Sequence, residues 1–349
     1  MRIAQVAPLH ESVPPQAYGG TERVVHVLTE ELVAMGHDVT LFASADSVTS
    51  AHLVPISPRS LRLDSSCCDP FAWHQLQLAE VARRARDFDV LHFHVDHLHF
   101  ALSRALDWPQ LTTLHGRQDL PELQALYAEF SDMPLVSISN AQRSPVPGAL
   151  WHANVYHGLA IGQERFVANP DDYLVFVGRI SREKRPDRAV ELARALGMKL
   201  KVAAKIAAPA EPYWKAEIEP LFRDPLVEFL GERDEHDKLD LSGRAKALLM
   251  PIDWPEPFGL VAIEAMACGT PVLAFRRGSM PEVIDEGVSG FLVDDMRDAV
   301  DAARRALALP RERVRECFDR RFNASRMARD YVLAYEHLLE LRAGGKRAA

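Results

Sequence analysis

The sequence predicts an α/β protein made of two doubly wound parallel-sheet domains. Three observations predict it. Strand-like apolar runs alternate with helix-like segments through the first half, the same alternation starts afresh after Phe166, and 349 residues exceed the usual size of one domain. In order, RIAQVAP (2–8) reads as a strand and TERVVHVLTEELVAM (21–35) as a helix closed by Gly36. A strand DVTLFAS (38–44), a helix FAWHQLQLAEVARRA (71–85) and a strand DVLHFH (89–94) follow, then a short helix and two strands, LTTLHG (111–116) and PLVSIS (134–139). The second half runs YLVFVG (173–178), PDRAVELARAL (186–196), LKVAAK (200–205), WKAEIEPLF (214–222), VEFLGE (227–232) and KALLMPI (246–252). It closes with an apolar helix from Gly259 to Cys268, PVLAFR (271–276) and GFLVDD (290–295). Periodicity lapses between Val155 and Phe166, which sets the expected domains at 1–158 and 159–323. A last helix from residue 324 presents Met327, Tyr331, Leu333, Ala334, Leu338 and Leu341 at roughly helical spacing, as a packing face.

Composition narrows the function. A hydrophobic share of 48% with 26% charged residues is that of a globular protein. The net charge of −8 disfavours nucleic acid and gives no support for docking on an anionic membrane, so membrane contact is expected to be peripheral at most. Arg83, Arg84 and Arg86 form a local basic patch that reads as a solvated helix face. No apolar stretch reaches the eighteen residues a membrane span needs, and MRIAQVAPLH reads as a first strand rather than a leader, so a cytoplasmic location is expected. Cys67, Cys68, Cys268 and Cys317 lack metal-ligand or C-x-x-C spacing and read as reduced thiols.

The most informative feature is a pair of glutamates eight residues apart in EPFGLVAIE. Glu256 lies in a proline-flanked loop just before the helix, where Phe258, Gly259 and Leu260 would offer amides and the positive end of the dipole to an anion. Glu264 sits in the second turn of an otherwise apolar helix, where a carboxylate needs hydrogen-bond donors such as bound hydroxyls. A solvated loop acid and a satisfied core acid are the plain alternatives. Arg179, directly after YLVFVG, and Lys184, just before Pro186 opens a helix, suit an anion held between them. The plain alternative is a surface charge cluster of Arg179, Arg182, Lys184 and Arg185. Gly19 and Gly20 follow the first strand and could let the backbone approach a diphosphate, or form an ordinary loop; no G-x-G-x-x-G is present. His92, His94, Asp96, His97 and His99 look like metal ligands, but a metal needs three or four convergent donors, and no metal is expected. Asp96, His94, His10, Ser137 and Ser139 read instead as candidates for an acceptor pocket.

The E-x7-E pattern, with PFG after its first Glu and E-A-x-A-x-G-x-P-V around its second, resembles the retaining glycosyltransferases of family 4. Tyr18 to Arg23 (YGGTER), Thr113 to Gly116 (TLHG), Val177 to Arg179 with Lys184, and Gly278 to Ile284 (GSMPEVI) resemble the same family in the same order. The resemblance implies a GT-B fold with an interdomain cleft, an acceptor-side domain at 1–158, a donor-side domain at 159–323, and a C-terminal helix (324–349) crossing back to the first. It implies transfer of a sugar from a nucleoside diphosphate sugar to an acceptor hydroxyl with retention, by front-face attack and without bound metal. Glu256 and the amides of Phe258, Gly259 and Leu260 would hold sugar hydroxyls and phosphate, and Glu264 the ribose. Arg179 and Lys184 would stabilise the leaving diphosphate, with His115 beside the donor sugar and Gly19, Gly20 and Gly231 lining the donor site. No tightly bound cofactor is implied. UDP-glucose is the expected donor, although the segment after VEFLGE (Gly231, Glu232, Arg233) leaves GDP-mannose open. The acceptor is expected to be a carbohydrate, a lipid-linked sugar or a small molecule. A nucleotide-sugar epimerase and a non-catalytic nucleotide-sugar binding subunit are the competing readings.

Overall fold

The computed structural model describes residues 1–16 and 19–348 and divides the chain into two compact units, Met1–Gly158 with Ala324–Ala349, and Leu159–Asn323. Every strand pairing in both sheets is parallel.

The first unit contains β1 (Arg2–Val6), α1 (Gly20–Ala34), β2 (Asp38–Ala43), β3 (His52–Pro55), α2 (Pro70–Arg84) and β4 (Val90–Phe93). It continues through α3 (Phe100–Ala105), β5 (Gln110–Thr113), α4 (Pro121–Glu129), β6 (Leu135–Ser137) and β7 (Trp151–Asn154). The sheet order is β3-β2-β1-β4-β5-β6-β7, so the winding reverses between β1 and β4. Ligands of open parallel sheets bind beyond the carboxyl ends of strands at such a reversal. Helices cover both faces, so all four residues of β4 are buried and its sequence is a run rather than an alternation. Local chemistry sets the helix ends. The Asp69 side chain accepts from the amides of Phe71 and Ala72, with Pro70 at the first position of α2, and Gly36 at φ +86 lets the chain leave α1. β3, β7 and α4 are not legible from periodicity, because two are short outer strands and α4 buries only Tyr127.

The second unit contains β8 (Tyr173–Arg179), α5 (Pro186–Leu196), β9 (Lys199–Lys205), α6 (Glu211–Tyr213), β10 (Val227–Gly231), α7 (Glu235–Arg244) and β11 (Ala247–Met250). There follow α8 (Leu260–Ala267), β12 (Val272–Phe275), α9 (Met280–Val283), β13 (Gly290–Val293), α10 (Met296–Leu307) and α11 (Arg311–Arg321). Its sheet order, β10-β9-β8-β11-β12-β13, reverses between β8 and β11. WKAEIEPLF is no continuous helix: α6 runs into a π-helical turn at Trp214–Ile218, and Pro220 follows it. α10 and α11 escape hydrophobic patterning because their buried faces are alanine (Ala299, Ala302, Ala303, Ala306) and a mixture containing Arg311 and Arg315.

The chain then returns to the first unit as α12 (Ala324–Ala348), which packs on α1 and β7. Met327, Tyr331 and Tyr335 are fully buried, whereas Leu333 and Leu341 are 63% and 56% exposed and lie off the packing face that spacing assigned them. Burying each aromatic body contributes on the order of 2 kcal/mol.

Candidate active site

In the second unit, the predicted donor residues gather at the carboxyl edge of the sheet, around its reversal. Arg179 ends β8, Gly231 ends β10 at φ +73, and the loop after β11 carries Glu256. That loop is held from behind by the segment after β12. The Ser279 amide donates to the Glu256 carbonyl at 2.9 Å, and Ser279 Oγ donates to the Phe258 carbonyl at 2.9 Å. A Cβ on Gly278, whose φ is +55, would lie 2.3 Å from the Glu256 backbone, so GSMPEVI is a buttress for EPFG. Gly259 caps α8 at φ +87 with no side-chain hydrogen bond; the Ala262 amide donates to the Gly259 carbonyl at 2.9 Å, and the Leu260 and Val261 amides are left uncapped.

Glu256 is 8% exposed, and its Oε2 receives both the Lys184 ammonium and the Trp254 indole N–H, the latter at 2.9 Å. Lys184 Nζ also lies 5.0 Å from the centre of the Trp254 ring. Lys184 is therefore joined to Glu256 rather than opposite it, and the anion site expected between Arg179 and Lys184 is not a pair of free cations. Trp254 is a site residue that sequence reasoning missed; an indole two residues before a buried acid was the available signal.

The basic run splits cleanly. Arg182 pairs with Glu217, and Arg185 with Asp187 and Asp253, so these two are structural charges. Asp253 also meets Arg188 at 3.2 Å and Arg277 at 3.5 Å, tying three loops of the carboxyl edge together. Burial alone would raise the Asp253 carboxyl, and the arginines outweigh it and hold it below the ordinary carboxylate value. The Arg179 guanidinium has no hydrogen-bond or ion-pair partner among the described residues. Glu264, 5% exposed, lies in the second turn of α8; its charge adds to burial in pushing the Cys268 thiol up to about 11. Beyond β10, Glu232 pairs with Lys205 at 3.1 Å and Arg233 reaches Asp237 at 4.0 Å. The four cysteines are free.

In the first unit, Gly19 and Gly20 lead into α1, while Tyr18 of the same motif lies outside the described residues. A Cβ on Gly19 would meet Pro15 Cβ at 2.7 Å, so local packing alone demands glycine there. His115, after β5, is joined to the strands by side chains. Its Nε2 lies 2.8 Å from His94 Nδ1, His94 Nε2 lies 2.8 Å from Gln5 Oε1, and Gln5 Nε2 donates to Tyr335 Oη of α12 at 3.1 Å. Tyr335 Oη is 2.7 Å from His92 Nδ1, and His92 Nε2 is 2.7 Å from Thr113 Oγ1, which meets Tyr331 Oη at 3.0 Å. Burial lowers His92, His94, His99 and His157 well below the ordinary imidazole value and His115 to about 3.

Burial separates His94, Ser137 and Ser139 from the other acceptor-pocket candidates, His10 and Asp96. His94 is 2% exposed with both ring nitrogens engaged, and Ser137 and Ser139 are fully buried, Ser137 bonded to Asn154 and Arg143. His10 and Asp96 are exposed. His92 and His99 likewise spend both nitrogens on hydroxyls, and among the described residues no three His, Cys, Asp or Glu side chains converge as a metal-binding group. The sequence does not mark Gln5, Tyr331 and Tyr335 as site-connected residues, whereas Thr113 belongs to the TLHG segment; a glutamine inside the apolar strand RIAQV is the signal for the first.

Two family patterns match the chain, Glycosyltransferase Family 4 over residues 18–147 and Glycosyl transferases group 1 over residues 162–319. The D-inositol 3-phosphate glycosyltransferase of Mycolicibacterium smegmatis is 28% identical over 87% of this chain and 83% of its own. The structure of AviGT4, a glycosyltransferase involved in avilamycin A biosynthesis, is 26% identical and superposes with a TM-score of 0.73 over 97% of this chain and 98% of that one. The Anabaena HepE structure in complex with UDP-glucose is 17% identical, with a TM-score of 0.71 over 99% and 100% of the two chains. No described helix is long and apolar enough to cross a membrane. Two parallel-sheet units, the buttressed EPFG loop and these matches together establish that the chain is a GT-B glycosyltransferase belonging to family 4, glycosyl transferases group 1.

Proposed function

We propose that this enzyme transfers a hexose from a nucleoside diphosphate sugar, UDP-glucose in the first instance, to an acceptor hydroxyl with retention of anomeric configuration. The carrying observation is the unpartnered Arg179 guanidinium at the end of β8, in the same sheet edge as the uncapped amides of α8. A diphosphate supplies the anion both lack, and a leaving diphosphate is where charge grows in the transition state. Lys184, already joined to Glu256, sets the position of that carboxylate for the sugar hydroxyls as well as adding positive charge. Glu264 would receive the ribose hydroxyls, and the unit containing His115 would receive the acceptor. Catalysis then rests on positioning and electrostatics, with the departing phosphate taking the acceptor's proton and no protein base required. The HepE complex with UDP-glucose supports the choice of donor by analogy of fold alone. GDP-mannose is the second donor to test.

A thermal-shift panel of UDP- and GDP-sugars identifies the donor as the compound that raises the melting temperature. Arg179→Ala is expected to lower kcat about 100-fold with a smaller change in donor affinity. Unchanged turnover in that variant would sink the assignment. Incubating the enzyme with UDP-glucose alone separates slow hydrolysis, expected for a transferase, from isomerised donor, expected for an epimerase.

A further inference from the structure

We infer that Gln5 and His94 are positioning residues that set the tautomer of His115, so that its one proton sits on Nε2 and its buried Nδ1 is a bare acceptor at the end of β5. A chain of hydrogen bonds within the first unit fixes where these protons lie. The Gln5 carboxamide presents Nε2 to Tyr335 Oη and Oε1 to His94 Nε2. An amide oxygen only accepts, so His94 carries its proton on Nε2. A neutral His94 then has an unprotonated Nδ1, which accepts from His115 Nε2–H at 2.8 Å. That places the single proton of neutral His115 on Nε2 and leaves Nδ1 as an acceptor.

One observation separates this polarity from its reverse. His115 Nδ1 is a buried side-chain nitrogen with no hydrogen-bond partner among the described residues. The opposite tautomer would put an N–H there, and a buried donor is orphaned less readily than an acceptor. In the same polarity the other branch has Tyr335 O–H donating to His92 Nδ1 and His92 Nε2–H to Thr113 Oγ1, a branch whose distances fit either direction. With its pKa lowered to about 3 by burial, the ring serves as a neutral acceptor rather than a base. Through Tyr335, α12 is joined to the same hydrogen-bonded network as the strand-end histidine.

The effect on turnover rests on the donor-transfer reading above; the tautomer does not. The test therefore has two readouts on the full chain. Two-bond ¹H–¹⁵N spectra of the ¹⁵N-histidine-labelled protein, without ligand, should show His115 with a protonated Nε2 and an unprotonated Nδ1. Gln5→Leu should move the proton to Nδ1 and lower kcat/KM for UDP-glucose hydrolysis on the order of tenfold. Gln5→Glu, which keeps an oxygen facing His94, should restore both, and it serves if Gln5→Leu does not fold. A wild-type spectrum with Nδ1–H, meaning a flipped Gln5 amide, overturns the relay, as does a Gln5→Leu protein whose His115 tautomer is unchanged. A tautomer that moves without any change in kcat/KM overturns the positioning role. A wild type that turns over no UDP-glucose counts against the donor reading, while the spectrum still decides the relay.

Discussion

The two units share a sheet topology and differ in the polar chemistry of their interiors. Of the 14 histidines, only His236 lies in the second unit. The first unit buries neutral imidazoles bonded to hydroxyls, amides and one another. The second buries guanidiniums: Arg311 donates to the carbonyls of Val167, Gly243, Ala245 and Cys268 and to Thr270 Oγ1, and Arg315 to those of Ile161, Gly162 and Ala267. Imidazoles suit a network that must relay proton positions, whereas a planar fork of donors suits carbonyls left over at loop and helix ends. The same winding thus accommodates two kinds of polar core, one sensitive to pH and one not.

Acid provides the largest test of that contrast. The folded pKa values of His92, His94, His99, His115 and His157 lie below the unfolded value of about 6.5, so the unfolded chain binds more protons between those limits. Stability is complete above about pH 6.5 and is lost as pH falls below it, at about 1.4 kcal/mol per unit for each ring that stays neutral. Several kcal/mol should separate pH 7 from pH 5, concentrated in the first unit; hydrogen exchange that opens both units equally at pH 5 would break the comparison. Next comes Arg311→Leu, which strands several buried carbonyls and should cost about 3–5 kcal/mol in denaturant unfolding, with the loss confined to the second unit.

Gly278→Ala combines a positive φ with a clash against the Glu256 backbone, so about 1–3 kcal/mol of stability and part of the donor affinity should go together. Donor binding that survives this substitution intact would detach the buttress from the site. The smallest effect belongs to Arg182→Ala. Its exposed pair with Glu217 is expected to contribute nothing measurable to melting temperature or turnover, in contrast to Arg179→Ala three residues away.

Much of this contrast was hidden in the sequence for physical reasons. Long apolar runs such as YLVFVG and GLVAIEAMA announce buried elements because parallel strands and central helices are covered on every side. α10 and α11 do not announce themselves, because alanine and the aliphatic stems of arginine bury little that patterning can detect. The same limit acts at the site. The run Arg179, Arg182, Lys184, Arg185 looks uniform in one dimension, yet Glu217, Asp187 and Asp253 claim two of its charges, Glu256 claims a third, and Arg179 remains. His94 reads as a ligand residue by type and proves to be a link between Gln5 and His115.

By itself the sequence determined the class of the molecule. Strand and helix periods, the glutamate pair, the strand-end glycines and the ordered motifs depend on local spacing, and local spacing is what a linear chain displays. Only the tertiary structure decided which charges are spent and which are left over. Ion pairs such as Lys184 with Glu256, 72 residues apart, and hydrogen bonds such as Gln5 with Tyr335, 330 apart, arise from strand order and helix return. No periodicity in the chain encodes such partners, because proximity between them exists only after the sheets have closed their cores.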